Sequence, residues 1–407
     1  MGDIARTEKG RSPFSPGRPV PPDMFVGRTS QIDRCMRSAK QTSLGKQENL
    51  FIIGEYGIGK SSLVSYIRSA AEEKYALAGF HVLLGGISSI EEMVQHIVSR
   101  MIQEAHRGKF LEKLKSVLGK YVESVELFGV TLNTAAIKSD SVEIAHQFLP
   151  FLRQVWNSLE NDFRGMALFL DDLNGITKVP EFAALIKSLV DEIATGREDL
   201  PLMLALSGVQ ERRLEIIRHQ PPVERIFDIV QVTTLTDEEV EHFFSQAFDS
   251  AKIKVEEKAI RKLVHYSGGL PKLMHELGEA TFWADNDNYI DSSDAFAGVV
   301  DAADNVGKKY FEHIRAALES SDYHSILRKL GDLAAAKDDL TLAFNKVELA
   351  EDLNEIEQRK LNNFLQRMKS LHALSPGEVR GTWVFPNRLV QFYLLLETIR
   401  EKGKKTK

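Results

Sequence analysis

Cysteine occurs once in the 407 residues, as Cys35. A single thiol excludes an intrachain disulfide, and no cysteine–histidine cluster has zinc spacing. Such sparing use of cysteine suits a reducing compartment. Long hydrophobic runs are also missing. No uninterrupted apolar stretch reaches the roughly 20 residues of a membrane helix, and the N-terminus has no apolar signal region. Charge of one sign is missing too: 52 basic residues face 58 acidic ones, for a net charge of −6. No global field draws this chain to nucleic acid, so any DNA contact needs a local basic patch. The expectation is a cytoplasmic protein with no membrane partner. Hydrophobic residues make up 43% of the chain, enough for two or three packed domains at this length.

The first 24 residues read as an irregular arm, because Pro13, Pro16, Pro19, Pro21 and Pro22 cannot sit inside a helix. Such an arm is either a free tail or a strap across a neighbouring subunit. From Phe25 on, short apolar strands alternate with helices. Strands are expected at Asn49–Ile53, Phe80–Gly86, Met166–Leu170, Pro201–Leu206 and Phe227–Val232, with a strand or hairpin at Val125–Leu132. The intervening helices, among them 29–44, Lys60–Glu73 and Ser89–Ile102, argue for a parallel sheet covered on both faces. After Thr234 the strands are expected to stop. Helices at 237–250, 256–266, 271–284 and 304–318 form a small module, opened by the capping box Thr236-x-x-Glu239. Three helical stretches (322–335, 344–353, 355–373) and a strand at Arg380–Phe385 are the parts of a winged helix. The fold expected is α/β, a parallel-sheet P-loop NTPase core with a helical lid and a C-terminal winged-helix domain. Its boundaries are an arm at 1–24, core 25–234, lid 235–318, winged helix 319–400 and a basic tail 401–407.

The residues that carry chemistry begin with Gly54-Glu55-Tyr56-Gly57-Ile58-Gly59-Lys60-Ser61, followed by Ser62. The glycine spacing, the apolar strand before it and the helix after it are the context of a P-loop. Backbone N–H groups there wrap a phosphate, and the helix N-terminus adds partial positive charge. Lys60 is expected to reach the β- and γ-phosphates of ATP, and the Ser61 hydroxyl to ligate Mg²⁺. Asp171 and Asp172 end the apolar run Met166–Leu170. Asp171 is the candidate for the metal's ligand shell, and Asp172 for the base or water-positioner. Two acids that merely cap the next segment are the plain alternative. Ser207, after another apolar strand, either touches the γ-phosphate or starts a turn. Arg225 either reaches a neighbour's phosphate or makes a surface salt bridge; Arg212 and Arg213 are weaker candidates for that role. Gly268-Gly269-Leu270-Pro271 either has a role or is a simple turn between helices.

In this order, Phe25-Val26-Gly27-Arg28, the P-loop, Asp171-Asp172, Ser207, Arg225 and Gly269-Leu270-Pro271 resemble the AAA+ and STAND group of ATPases. The likeness is to Orc1/Cdc6-like and archaeal-type members with a C-terminal winged helix, and it covers about 25–395. The resemblance implies that Val26 and Arg28 lie near the adenine. It also implies that Asp171 and Asp172 are the Walker B pair, that Ser207 is sensor 1 and that Arg225 faces a neighbouring protomer. There are two departures. The second acid is aspartate where the AAA+ pattern has glutamate, and Pro271 stands where an Orc-like lid has arginine. Both favour a slow switch over a fast motor, working as a homo-oligomer or with a partner protein. In the last segment Arg359, Lys360, Arg367 and Arg380 are the candidates for touching DNA, with Arg388 flanking the wing. Glu355, Glu357 and Glu378 in the same region would repel it. Protein binding by this module, an ATP-locked DNA loader and a nucleotide-binding scaffold without turnover all stay open. A small-molecule kinase is disfavoured because no acceptor signature is visible.

Overall fold

Short buried strands separated by helices leave a doubly covered parallel sheet as the way to bury both faces. The computed structural model describes residues 9–107, 141–196, 199–317, 320–335, 343–371, 373–377, 379–385, 391, 393–394 and 396. The strand or hairpin expected at Val125–Leu132, Arg388, Glu378 and the tail 401–407 lie outside the described residues. Two compact units emerge: 19–233, and 234–407 together with the first 18 residues.

In the first unit the order is α1 (Thr29–Thr42), β1 (Glu48–Ile53), α2 (Lys60–Tyr75), β2 (Leu77–Leu83) and α3 (Ile90–Arg107). It continues with α4 (Ser141–Leu159), β3 (Gly165–Asp171), α5 (Pro180–Thr195), β4 (Leu202–Gly208), α6 (Gln210–His219) and β5 (Asp228–Gln231). The five strands pair in parallel in the order β2-β3-β4-β1-β5. Side chains alternate across the sheet. Phe51, Ile53, Phe80, Val82, Leu168, Leu170, Leu204 and Leu206 enter one apolar core, which α3, α4 and α5 complete. The opposite face carries α1 and α2. Strand β2 runs three residues earlier than expected. Its start, Leu77-Ala78-Gly79, looks weak for a strand, but Gly79 makes room for the Arg68 side chain from α2. Ala76 closes α2 in the left-handed region (φ 53°), so the strand follows the helix directly.

The second unit holds α7 (Asp237–Ser250), β6 (Lys254–Val255), α8 (Glu257–Ser267), α9 (Pro271–Ala284), β7 (Tyr289–Ile290) and α10 (Ser292–Ala317). Thr236 and Glu239 form the expected capping box. Strands do not stop at Thr234: β6 and β7 pair in parallel. With two residues each they are too short to leave a periodic signal. The helix expected from 304 begins at Ser292, where Asp291 caps the backbone N–H groups of Ser293 and Asp294.

Residues 9–15 of the proline-rich arm dock on these helices. Phe14 is only 5% exposed. Its ring lies edge-on to Phe243 at 5.9 Å and Phe248 at 5.0 Å. Gly278 leaves the space, since a Cβ there would run into the Phe14 ring. Lys9 pairs with Asp285 at 2.7 Å, and the Ser15 N–H donates to His275 Nδ1 at 3.2 Å. That bond requires an unprotonated Nδ1, and burial pushes the His275 pKa down to about 4. The unfolded chain takes up this proton near pH 6.5. Between the two values the unfolded state binds more protons, so stability is full above about pH 6.5 and falls as pH drops toward 4. Lowering the pH from 7 to 5 is expected to remove on the order of 2 kcal/mol. Denaturant midpoints read this loss, and His275→Gln should remove the slope over that range.

The remaining elements are α11 (Ser321–Ala335), β8 (Ala343–Asn345), α12 (Lys346–Glu351), α13 (Glu355–Ser370), β9 (Ser375–Pro376) and β10 (Thr382–Val384). The single helix expected at 344–353 is a strand followed by a helix, because the Asn345 capping box starts the helix at Lys346. The strands pair antiparallel in the order β8-β10-β9. Leu361, Phe364, Leu365 and Met368 form the buried face of α13, as their spacing predicts.

Candidate functional site: the P-loop and the carboxyl edge of the sheet

Strand β1 delivers the chain to Gly54 at the carboxyl edge of the sheet. A Cβ on Gly54 would sit 2.7 Å from the Val232 carbonyl oxygen, so only glycine lets the loop turn here. Gly57 (φ 75°) and Gly59 (φ 92°) take left-handed conformations that other residues adopt at a cost. Gly59 then caps α2. The result is a loop wrapped around the first turn of α2, where free N–H groups converge. Ile58 anchors the loop in the interior, whereas Tyr56 is 65% exposed.

Residues 20–28 run beside the P-loop helix. The Val20 N–H donates to Ser62 Oγ at 3.2 Å, and Phe25 stacks on Tyr66 at 5.0 Å. Val26 is half-buried. Arg28, buried and left-handed (φ 61°), donates its guanidinium to the Ile58 carbonyl. Arg28 thus braces the loop through Ile58.

Lys60 Nζ donates to the carbonyls of Gly54 at 2.9 Å and Glu55 at 3.0 Å. Burial pushes its pKa below the ordinary lysine value, against the pull of Asp171, Glu55 and Asp172. Strand register explains the acids. Asp171 follows Phe169 on β3 by two residues, and Ser207 follows Ala205 on β4 by two. Phe169 and Ala205 are register partners. Parity therefore places both side chains on the sheet face that α2 covers. Both are 1% exposed. Burial raises the Asp171 pKa, but the hydrogen bond with His81, with the Ser61 and Ser207 hydroxyls close by, outweighs it and holds the carboxyl below its usual range; Ser207 Oγ itself is buried with no hydrogen-bond partner among the described residues. The P-loop helix, β3 and β4 therefore converge on one ionised carboxylate.

Asp172 leaves the strand with φ 57° and is only partly buried. Burial first, then the neighbouring Asp171 charge, pushes its pKa up. Its carboxylate accepts a hydrogen bond from Asn174 Nδ2, and Asn174 Oδ1 accepts one from the Tyr56 hydroxyl at 2.8 Å. Gly85 lies against its other oxygen, where a Cβ would come within 2.5 Å. Asn174 and His81 were not singled out from the sequence. A histidine interrupting the apolar strand Leu77–Leu83 was the available signal for the second.

Arg225 lies in the 3-10 turn Pro221–Arg225, exposed, and forms no ion pair among the described residues. Arg212 pairs with Glu215 at 2.7 Å, and Arg213 lies 4.0 Å from Glu224. Pro271 opens α9 at its first position. In the last segment two expectations change. Lys360 is paired with Asp322 at 2.5 Å. Glu357 does not repel a ligand from the surface: it is 3% exposed, caps α13 and pairs with Lys329 at 2.6 Å. Arg359, Arg367 and Arg380 are exposed.

Among the described residues no group of three or more His, Cys, Asp or Glu side chains could hold a metal ion. No described helix is long and apolar enough to cross a membrane. Residues 24–211 match the family model of the AAA ATPase domain. A comparison with curated proteins found no match. Among solved structures, the Walker-type ATPase PABY2304 of Pyrococcus abyssi is 17% identical, with a TM-score of 0.53, covering 91% of this chain and 96% of that one. The ORC2 protein of Aeropyrum pernix, in its ADPNP–ADP complexes, is 14% identical, with a TM-score of 0.54 and 97% of both chains covered. Both likenesses are to the fold. With the loop geometry above, residues 24–211 of this chain are a P-loop ATPase domain of the AAA type.

Proposed function

We propose that this protein is a slow ATP-dependent switch in which the bound nucleotide controls self-association and partner binding. The observation that carries the reading is a P-loop that opens α2 at Lys60, with Asp171 and Ser207 buried on the sheet face that α2 covers. The Aeropyrum protein with the same fold was solved with ADPNP and ADP. In this reading Gly54–Ser62 cradle the triphosphate, and Lys60 leaves its two loop carbonyls for the β- and γ-phosphates. Val26 and Arg28 border the base.

Mg²⁺ fits the residues present. The donors on offer are oxygens, Asp171 is held ionised, and the Ser61 hydroxyl stands close to it. Phosphate oxygens and water complete the shell of such an ion, so a cluster of protein carboxylates is not required. Bound there, the ion would neutralise charge on the β- and γ-phosphates. Asp172 is the group placed to accept a proton from, or orient, the attacking water. Asn174 and Tyr56 hold its carboxylate meanwhile. Ser207 contacts the γ-phosphate, and Arg225, exposed and without an ion pair among the described residues, acts on a neighbouring protomer's nucleotide. Pro271 belongs to the lid, which follows the nucleotide state.

Light scattering with ATP, ADP and no nucleotide tests this, with phosphate release followed in parallel. Wild type should form a larger particle with ATP, and turnover should stay below about one per second. Arg225→Ala should bind ATP normally and lose roughly 10³-fold or more in turnover, the range for an arginine acting in trans. A particle of constant size in every nucleotide state would refute the assembly part. A fast motor, turning over many times per second, would refute the switch.

A second reading concerns the C-terminal elements, which we take as a winged helix. The solvent face of α13 carries Gln358, Arg359, Asn362, Asn363, Gln366 and Arg367, residue types that read base edges in a major groove. Duplex DNA binding that weakens steeply with salt supports it. Neutralising Arg359 and Arg367 should abolish that binding, whereas Lys360→Ala, which breaks an internal pair, should affect stability more than DNA.

A further inference from the structure

Strand β2 contains one polar side chain, His81, in Leu-Ala-Gly-Phe-His-Val-Leu. It points to the α2 face of the sheet, where its Nε2 lies 3.0 Å from Asp171 Oδ2. The imidazole is 12% exposed and the carboxylate 1%. A polar residue this deep in an apolar strand loses hydration and keeps its place only with a partner. The partner here is the carboxylate on which the proposed metal site rests.

We infer that His81 is the positioning residue of Asp171 and sets the carboxylate orientation that a nucleotide-bound Mg²⁺ requires. This rests on the Mg²⁺–ATP reading above. An ionised carboxylate is an acceptor only, so the bridging Nε2 carries the hydrogen and donates it. The other oxygen, Oδ1, accepts the N–H of Asp172 at 2.9 Å. With both oxygens held, the carboxylate plane cannot rotate freely. The strand carrying His81 is itself pinned. Arg100 Nε, from α3, donates to the His81 carbonyl at 2.8 Å, and Arg100 also pairs with the buried Glu104 at 2.9 Å. His81 does not touch the nucleotide. It acts through Asp171, as the hydrogen-bond partners of metal-binding carboxylates do.

The test is the affinity of the full chain for a fluorescent ATP analogue, titrated in Mg²⁺ and in EDTA. In wild type Mg²⁺ should strengthen binding. His81→Leu fills the same space without a donor and should lose about tenfold of that Mg²⁺-dependent gain, in the range for lost partners of metal ligands. Its affinity in EDTA should stay within about twofold of wild type, since the P-loop is untouched. His81→Gln places an amide N–H near the same point and should restore most of the gain. If His81→Leu does not fold, His81→Asn, too short to reach Oδ2, serves in its place. Equal weakening in Mg²⁺ and EDTA, or a full gain retained without the donor, overturns the role of His81 and leaves the ATP reading intact. A wild type that binds the analogue with no Mg²⁺ dependence overturns the metal reading and this inference together.

Discussion

Lys60→Ala should bind ATP at least about 100-fold more weakly than wild type while melting at the same temperature or slightly higher. The two halves have separate causes. Hydrogen bonds to a charged partner contribute roughly 1.5–3 kcal/mol each, so two lost phosphate contacts correspond to about 10²-fold or more. In the nucleotide-free protein the same ammonium is partly buried, and burial lowers its pKa. A lowered lysine pKa means the folded state holds this charge less well than water does. Its two bonds to the Gly54 and Glu55 carbonyls offset part of that cost, and water can take over at the exposed loop. Lys60 is thus held at some cost to stability for the sake of the ligand. Calorimetric titration and a thermal melt on the same preparation decide the matter. An affinity loss below threefold would refute the assignment of Lys60.

Phe14→Ala should cost about 3–5 kcal/mol, the range for deleting a buried phenylalanine. Phe14 is 5% exposed and meets Phe243, Phe244 and Phe248. Its ring sits directly against Gly278, where a Cβ would collide with it. Detachment also leaves Asp285, whose carboxyl is held low by Lys9 and backbone N–H groups against the effect of burial, without its cation. Urea denaturation gives the magnitude, and limited proteolysis shows whether cleavage within residues 9–18 accompanies it. Loss of less than 1 kcal/mol would mean that the arm rests on the surface without holding the helices together. Gly278→Leu approaches the same contact from the other side and should release the arm with Phe14 still present.

The P-loop was legible because its chemistry is local: Gly54, Gly57, Gly59, Lys60 and Ser61 lie within eight residues, and their backbone conformations follow from glycine spacing. The five strands were legible for a similar reason, since each is a short apolar run bounded by turns. Asp171 and Ser207 could be named as strand-end residues. That they share a sheet face, one carboxylate and one helix depends on the pairing of β3 with β4, which no local pattern encodes. His81 and Asn174 escaped notice because their roles depend entirely on that pairing. The surroundings of two charges are not legible in the sequence either. Glu357 looks like a surface acid beside a basic helix, yet it is buried against Lys329, where burial raises its pKa but hydrogen bonds bring it down to about 2. Lys360 looks free and is paired. Helical spacing says which residues lie on one face; only packing says what that face meets.

The arm draws the same distinction. Five prolines within Pro13–Pro22 determined by themselves that this segment has no α-helix, because the ring fixes φ and removes the N–H donor; a single 3-10 turn, Pro22–Met24, is all that forms there. Whether Phe14 within it is solvated or buried was undetermined, because hydrophobic burial is non-directional and needs a receiving cavity. The residues that build the cavity, Phe243, Phe244, Phe248, His275 and Gly278, are more than 220 positions away. Local sequence thus determined the phosphate-binding loop, the alternation of strands and helices and the irregular arm, where backbone preferences act over a few residues. The tertiary structure decided which carboxylate gathers Ser61, His81 and Ser207 and which pocket receives the arm, because those contacts join segments far apart in the chain.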